Sequence, residues 1–189
     1  QDTHRGTGHP MECRGVAAVY DVVGAGLRVW TSTQTPHNTQ RGLVDMFDMA
    51  EDKVRVITPD VGGGFGPKNQ VYPEEMMVPL AAKLLGRPVK WVEDRREHFL
   101  TTTQERDQVW EVSVAVDENG RILGLKGHLV HDAGAYLPWG IIMPYISAST
   151  LPGPYRVPSY RLEVSVAFTN MVATTPMLSL IHISEPTRL

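Results

Sequence analysis

The sequence contains a single cysteine, Cys13, among its 189 residues. One thiol cannot form an internal disulfide, and iron–sulfur clusters and cysteine-ligated zinc sites normally require several thiolates. No apolar run is long enough to cross a bilayer, and the polar first residues lack the basic-then-apolar pattern of a signal peptide. The sequence therefore predicts a cytoplasmic protein without an electron-transfer centre of its own.

A basic stripe is also missing. The 18 basic and 21 acidic side chains are mixed along the chain and leave a formal net charge of -3. Because binding to a phosphate backbone demands clustered positive charge, the sequence predicts no nucleic-acid partner. With 42% apolar and 21% charged residues, the chain has enough apolar side chains for a sizeable core. We therefore expect a folded globular domain or part of one.

Alternating and helical spacings of the apolar residues predict an α+β fold with mixed sheets, hairpins and two amphipathic helices. The helices are expected from Pro36 to about Met49, with Thr35 as a cap, and from Pro73 to Leu85, with Gly86 as the stop. The strands are expected at 27–31, 54–57, 89–93, 108–116, from 121 onward and at 160–168. The turn Asp117-Glu118-Asn119-Gly120 predicts a hairpin between two of them.

Two stretches do not fit this pattern of helices and strands. Residues 135–158 are rich in proline, glycine and aromatic side chains, which predicts a long irregular excursion. The last twelve residues, Leu178 to Leu189, read like the in-frame translation of a sequencing adapter. Since the chain also lacks an initiating methionine, we expect an incomplete portion of a domain over residues 1–177 and a non-native tail over 178–189.

The strongest chemical signal is the run Gly62-Gly63-Gly64-Phe65-Gly66 after the strand expected at 54–57. Consecutive glycines let backbone amides approach a ligand closely, and Phe65 can wall an apolar pocket. The run is not a Walker loop, because Pro67-Lys68-Asn69 replaces the required Gly-Lys-Ser/Thr ending, and Pro67 also breaks the dinucleotide pattern. Taken alone, the run is equally compatible with a tight turn that binds nothing.

Combined with Thr33-Gln34 and with Trp91-Val92-Glu93-Asp94-Arg95-Arg96-Glu97, this glycine run resembles the molybdopterin-binding large subunit shared by xanthine dehydrogenases, aldehyde oxidases and aerobic carbon monoxide dehydrogenases. The resemblance covers nearly all of Gln1 to Pro176. Its other motifs, in the family order, are His9-Pro10-Met11-Glu12, Pro59-Asp60, His131-Asp132-Ala133-Gly134-Ala135-Tyr136, Leu151-Pro152-Gly153-Pro154-Tyr155 and Asn170 with Thr174-Thr175-Pro176.

The resemblance implies a molybdenum hydroxylase that binds molybdopterin with molybdenum, expected as the cytosine dinucleotide. In that family the pterin's dithiolene sulfurs hold the metal, so no protein metal ligand is expected. Gln34 would lie over the apical ligand of the metal, and Gly64, Phe65 and Gly66 would line the cofactor. No catalytic residue is expected in this chain, because the general-base glutamate of the family lies further downstream.

The resemblance also implies partners and a substrate class. FAD and 2Fe-2S centres are expected on partner subunits of a hetero-oligomeric complex, and the substrate would be a small molecule, an aldehyde or an N-heterocycle, oxidised with water as oxygen source. Asn69 stands where purine-oxidising members carry a glutamate, which argues against a purine. The alternatives are a carbon monoxide dehydrogenase large subunit and a non-catalytic α+β module whose glycine loop receives an anion or a protein.

Three further features are predicted to be structural. The charged run from Glu93 to Glu97 is expected to be a solvated, self-paired cluster. His131 and Asp132 are adjacent strand residues, so they should point to opposite faces and cannot both meet one substrate. The clustered methionines are expected to fill the core, and they are Met46, Met49, Met76 and Met77.

Overall fold

The computed structural model describes residues 2–3, 5–136, 139 and 142–176. They form two compact units. The first, the glycine-loop unit, is Gly8–Thr102, and the second, the hairpin unit, combines the described residues up to Thr7 with Thr103–Pro176. Both units mix helices and strands, which confirms the α+β class. The expected tail, 178–189, lies outside the described residues, so the predicted domain boundaries stay a prediction.

The described residues form eight strands, four α-helices and a short 3₁₀ turn at Glu51–Lys53. The strands are β1 (Asp2–Thr3), β2 (Gly15–Asp21), β3 (Gly26–Thr31), β4 (Val54–Ile57), β5 (Val89–Val92), β6 (Gln108–Val116), β7 (Ile122–Gly134) and β8 (Tyr160–Phe168). The helices are α1 (Pro36–Phe47), α2 (Pro73–Leu85), α3 (Arg95–Thr101) and α4 (Ile142–Thr150).

The sheet of the glycine-loop unit has the strand order β4-β3-β2-β5. β3 runs antiparallel to β2 and parallel to β4, so α1 forms the crossover between the two parallel strands. Parallel strands end at the same edge of a sheet, and the chain therefore leaves β3 at Thr31 and β4 at Ile57 on one side. This topology delivers Gln34 and the glycine run to the same edge.

One face of this sheet packs against α1 and α2. Alternate strand residues and helix residues at helical spacing meet there. The buried core consists of Val16, Ala18, Leu27, Val29, Leu43, Val54, Val78 and Ala82. Met49 and Met76 pack against it as predicted, but Met46 and Met77 are 51% and 55% exposed, so the prediction was wrong for these two. Both side chains lie on the solvent-facing sides of their helices. The prediction rested on the clustering of methionines in the sequence, which does not distinguish the two sides of a helix.

The hairpin unit contains the second sheet, with the strand order β1-β6-β7-β8. β6 and β7 are antiparallel, and β7 and β8 are parallel. The turn between β6 and β7 confirms the predicted hairpin: the Asp117 carboxylate accepts hydrogen bonds from the amides of Asn119 and Arg121, and Gly120 has a φ of +77°. No helix among the described residues is long and apolar enough to cross a membrane.

The structure has two helices, α3 and α4, in addition to the two that were predicted. α3 begins with a capping box, in which the Asp94 carboxylate accepts from the Glu97 amide and the Glu97 carboxylate accepts from the Asp94 amide. α4 lies within the stretch predicted to be irregular, and Pro144 is its third residue, where a missing amide costs no intrahelical bond. The helix α3 was not predicted because it lies in a run of charges, and α4 was not predicted because the surrounding segment is rich in proline.

The expected side-chain cap of α1 was also wrong. Thr35 occupies the N-cap position, but its side chain makes no cap hydrogen bond. The hydroxyl instead donates to the carbonyl of Asn69, 3.3 Å away. Pro36 still begins the helix as predicted, and Gly86 ends α2 in the left-handed conformation. Thr35 thus joins the start of α1 to the segment that follows the glycine run.

Candidate functional site

The glycine run and Gln34 meet at the carboxyl end of the parallel strands. The Gln34 carbonyl oxygen Oε1 accepts a hydrogen bond of 3.1 Å from the amide of Gly66, and the Gln34 backbone amide donates to the carbonyl of Lys68 at 2.8 Å. Both the main chain and the side chain of Gln34 are therefore fixed on the loop. The structure brings together the residues that the sequence singled out, Gln34, Gly64, Phe65 and Gly66.

Close packing inside this loop accounts for its glycines. A Cβ placed on Gly64 would lie 2.5 Å from Cδ of Gln34, and one on Gly63 would lie 2.7 Å from Cε2 of Phe65. Gly66 has a φ of +108°, a conformation that residues with a side chain rarely adopt. The glycines thus leave room for the present positions of the Gln34 and Phe65 side chains and allow the backbone conformation at Gly66, whether or not a ligand is bound.

The loop nevertheless presents groups that a ligand could use. Phe65 is held at a φ of +54° with 43% of its surface exposed. Among the described residues, the amides of Gly64 and Phe65 donate to no protein acceptor. Because the Gln34 carbonyl accepts from Gly66, the amino group at the other end of its carboxamide is oriented to donate elsewhere. An aromatic wall, two amides and a carboxamide suit a flat, polar group such as a pterin.

An ion pair between the buried Lys68 and the half-exposed Glu12 also holds the loop. The Lys68 ammonium, whose side chain is fully buried, lies 2.8 Å from Oε2 of Glu12, and the same oxygen accepts from the Gly62 amide at 3.0 Å. Burial acts to raise the pKa of Glu12, but the hydrogen bonds from Lys68 and Gly62 outweigh it and lower the pKa overall. Sequence reasoning gave neither Glu12 nor Lys68 a role, since a pair 56 residues apart leaves no local pattern.

Replacing Lys68 by methionine is expected to lower the free energy of unfolding by about 2 kcal/mol, because a charged hydrogen bond is lost while the half-exposed Glu12 keeps part of its hydration. Urea unfolding followed by circular dichroism measures this loss. The exposed Lys90 provides the matched control, and Lys90→Met should leave the midpoint unchanged. Equal midpoints for the two variants would contradict a stabilising role of the Lys68–Glu12 pair.

For the charged run after β5, the prediction of a solvated cluster was wrong at Glu93, which is buried. The buried Glu93 carboxylate accepts hydrogen bonds from Nη2, Nε and the backbone amide of Arg14 at 2.6, 2.9 and 2.9 Å. It also lies 2.9 Å from Nδ1 of His98. Arg14 immediately precedes β2 and lies 79 residues from Glu93 in the chain, so no local pattern could reveal the pair. Asp94, Arg96 and Glu97 are exposed as predicted, and Asp94 and Glu97 form the cap of α3.

These contacts dominate the ionisation of Glu93. Burial acts to raise its pKa, but the hydrogen bonds from His98 and Arg14 lower it from 4.5 to about 2. The resulting stabilisation is fully present above pH 4.5 and is lost as the pH falls toward about 2. Two other buried carboxyl groups, Glu75 and Glu105, have pKa values raised by burial and therefore act in the opposite direction.

We expect the stability difference between the wild type and Glu93→Gln to shrink by about 3 kcal/mol as the pH is lowered through that interval, because the substitution removes this one titration. Urea midpoints measured for both proteins between neutral and acidic pH test the expectation. Subtracting the two profiles cancels the contributions of Glu75 and Glu105. A difference that stays constant with pH would contradict the lowered pKa of Glu93.

His131 and Asp132 have separate surroundings, as predicted for adjacent strand residues. His131 is buried between Gln108 and Thr174, and its pKa is lowered by burial. Asp132 lies 3.0 Å from the guanidinium of Arg5 and accepts from the hydroxyl of Thr169. Neither group is brought to a shared site. Among the residues that the structure describes, no group of three histidine, cysteine or carboxylate side chains could hold a metal ion.

Comparison with known proteins places this geometry in a family. Residues 2–180 match the family model of the molybdopterin cofactor-binding domain. The chain is 41% identical over 165 residues to the nicotine 6-hydroxylase large subunit of Paenarthrobacter nicotinovorans, covering 85% of this chain and 20% of that protein. It is 34% identical over 169 residues to the carbon monoxide dehydrogenase large chain of Hydrogenophaga pseudoflava, covering 85% of this chain and 20% of that protein.

A solved structure shows the same arrangement. The crystal structure of quinoline 2-oxidoreductase from Pseudomonas putida 86 matches with a TM-score of 0.89 and 36% identity, over 93% of this chain and 23% of that chain. The chain thus spans about a fifth of the length of the curated relatives that it matches. Because the family model covers nearly the whole sequence, the chain belongs to the molybdopterin cofactor-binding domain family, whose matched members here are large subunits of oxidoreductases.

Proposed function

We propose that this chain is the part of a molybdenum hydroxylase large subunit that forms one wall of the molybdopterin site, with Gln34, Gly64, Phe65 and Gly66 facing the cofactor. The observation that carries the proposal is the hydrogen bond between the Gln34 side chain and the Gly66 amide. It joins two motifs that lie 32 residues apart and fixes the orientation of the carboxamide.

When bound, the molybdenum and its pterin supply the redox chemistry of the reaction. The residues of this chain contribute binding and orientation. The amino group of Gln34 would donate to the bound molybdenum cofactor, and the amides of Gly64 and Phe65 would donate to acceptors on it. The Phe65 ring excludes water from the apolar side of the cofactor, which strengthens these hydrogen bonds. The cytosine dinucleotide form, and FAD and 2Fe-2S centres on partner subunits, belong to the same proposal.

The substrate class best supported is an aromatic N-heterocycle. Two of the similar proteins are named for nicotine and quinoline, which are both of this class. Asn69, at the end of the glycine loop, is neutral where a purine-binding glutamate would stand. Similarity to the carbon monoxide dehydrogenase large chain, at 34% identity, is lower than the 41% found for the nicotine enzyme. Membership of the family also argues against a non-catalytic binding module.

The test of this function uses the complete gene that contains this sequence, expressed together with its neighbouring genes. The purified complex is offered nicotine, quinoline, an aromatic aldehyde, hypoxanthine and carbon monoxide, with a dye as electron acceptor. We expect turnover of an N-heterocycle with a kcat/KM at least about tenfold above that of the other compounds, the discrimination that one lost polar contact produces. Preferential oxidation of hypoxanthine or carbon monoxide would contradict the proposed substrate class.

A further inference from the structure

Beneath the glycine loop lies a set of buried charged side chains to which the proposed function gives no role. Arg14 immediately precedes β2, Glu93 immediately follows β5, and His98 lies in α3. Their side chains are 6%, 0% and 0% exposed, respectively. Arg14 also lies 3.1 Å from Glu74, at the start of α2. We call these three residues the buried charge network. Such networks are costly to bury, so each contact has to be satisfied.

His98 makes a contact at each ring nitrogen, and both partners are acceptors. Its Nδ1 lies 2.9 Å from the Glu93 carboxylate, and its Nε2 lies 3.0 Å from the backbone carbonyl of Gly8. A carbonyl oxygen can only accept, and Glu93 is ionised over the ordinary pH range. The bond between Nε2 and the Gly8 carbonyl is therefore donated by His98, because the carbonyl oxygen cannot donate.

Gly8 connects the network directly to the glycine loop. A Cβ placed on Gly8 would lie 2.9 Å from Cγ and Cδ of Pro67 and 3.3 Å from Cβ of Phe65. The backbone of Gly8 is therefore packed against the two residues that flank Gly66. A displacement of the Gly8 carbonyl would release the surface on which Phe65 rests.

Arg14 connects the buried charge network to the glycine loop a second time, through Tyr72. The Arg14 guanidinium lies 3.8 Å from the centre of the Tyr72 ring, and the Tyr72 hydroxyl donates to the Pro67 carbonyl at 2.6 Å. Arg95, next to the network in sequence, also donates to the carbonyl of Met11 at 3.1 Å. The contacts of the network thus converge on Pro67 from two directions.

We propose that His98 is a positioning residue for the cofactor site: by donating to the Gly8 carbonyl it fixes the backbone on which Phe65 and Pro67 of the glycine loop pack. The inference rests on the proposed function, because it is Phe65 that faces the cofactor there. A purely structural His98 would stabilise the whole glycine-loop unit without any special effect on the loop. If His98 positions the loop, its loss should loosen residues 62–69 more than the strands of the sheet. If it is only structural, its loss should loosen both equally.

Two substitutions separate the contacts of His98. In His98→Gln the amide nitrogen takes the place of Nε2 and keeps the bond to Gly8, whereas in His98→Asn it takes the place of Nδ1 and keeps only the bond to Glu93. Hydrogen exchange of the full-length subunit is measured for residues 62–69 and, as the reference, for β3. The ratio of the two rates reports local loosening, separately from the overall loss of stability.

We expect His98→Asn to raise the hydrogen-exchange rate of residues 62–69 about tenfold relative to that of β3, the effect of losing one buried hydrogen bond. For His98→Gln, the hydrogen-exchange rates of residues 62–69 and of β3 should change by the same factor. In the holoprotein, His98→Asn should release molybdenum and pterin faster during gel filtration than His98→Gln does. Equal ratios of loop to sheet exchange in the two variants would overturn the inference.

The two proposals fail in different ways. A folded wild type without molybdenum would refute the proposed function, while the exchange ratio would still decide whether His98 positions the loop. A wild type that carries molybdenum, combined with variants that loosen loop and sheet alike, would refute only the role of His98.

Discussion

Replacing Glu93 by alanine is expected to lower the free energy of unfolding by about 3–5 kcal/mol, the largest stability effect that we predict for this chain. The carboxylate accepts from two nitrogens of the Arg14 guanidinium and faces Nδ1 of His98, and all three side chains are buried. Without it, the buried guanidinium of Arg14 keeps only Glu74 as a counter-charge, and Nδ1 of His98 loses its partner in the interior. A loss of this size approaches the whole stability of an ordinary domain.

The measurement is the urea midpoint near neutral pH, with the yield of folded protein as a second readout. Glu163 provides the control, because it pairs with Arg161 at 2.6 Å but both side chains are well exposed. Glu163→Ala should therefore leave the midpoint unchanged. Glu93→Gln keeps the shape of the side chain and one acceptor oxygen. Its urea midpoint should therefore lie between those of the wild type and Glu93→Ala. If Glu93→Ala and Glu163→Ala unfold at the same urea concentration, the buried charge network does not stabilise the fold.

Replacing Gly64 by alanine is expected to reduce the molybdenum content of the full-length subunit more than about tenfold while changing stability by less than about 1 kcal/mol. The added Cβ would lie within 2.6 Å of Cδ, Cγ and Oε1 of Gln34. These atoms belong to a flexible side chain, which rotates away at little cost to folding. The rotation breaks the hydrogen bond to Gly66 and moves the carboxamide from the position that we assign to cofactor binding.

Metal analysis and urea unfolding of the same preparation test this prediction together. Gly26→Ala is the matched control, since a Cβ on Gly26 meets only the Lys53 carbonyl, at an ordinary 3.8 Å. Gly26→Ala should have the molybdenum content and the urea midpoint of the wild type. Retention of molybdenum by Gly64→Ala at the wild-type level would show that the orientation of Gln34 does not matter for binding, and a large loss of stability would show that the loop cannot adapt.

Local patterns were sufficient to predict much of the glycine-loop unit. Alternation marked β3, helical spacing marked α1 and α2, and glycine marked the end of α2. The position of the site followed from these elements, because Gln34 and the glycine run each leave a strand of the same parallel pair. The resemblance to the molybdopterin-binding family added the role of the loop, which its glycines alone do not determine.

What the sequence did not reveal depends on residues far apart in the chain. The partners in the Arg14–Glu93 and Glu12–Lys68 pairs are separated by 79 and 56 residues, respectively. The sequence around one charged residue does not indicate which distant residue it pairs with. Glu93 was assigned to a surface cluster because its neighbours in sequence are charged. The helix α3 is different, since Asp94 and Glu97 form a capping box that could have been recognised from their spacing.

The most direct test of the central claim is the molybdenum and pterin content of the full-length wild-type subunit, purified from cells supplied with molybdate. We predict molybdenum in stoichiometric amount with the subunit, together with a pterin whose nucleotide part is released as cytidine monophosphate. A folded subunit that contains neither molybdenum nor a pterin would contradict the claim that Gln34 and the glycine loop form one wall of a molybdopterin site.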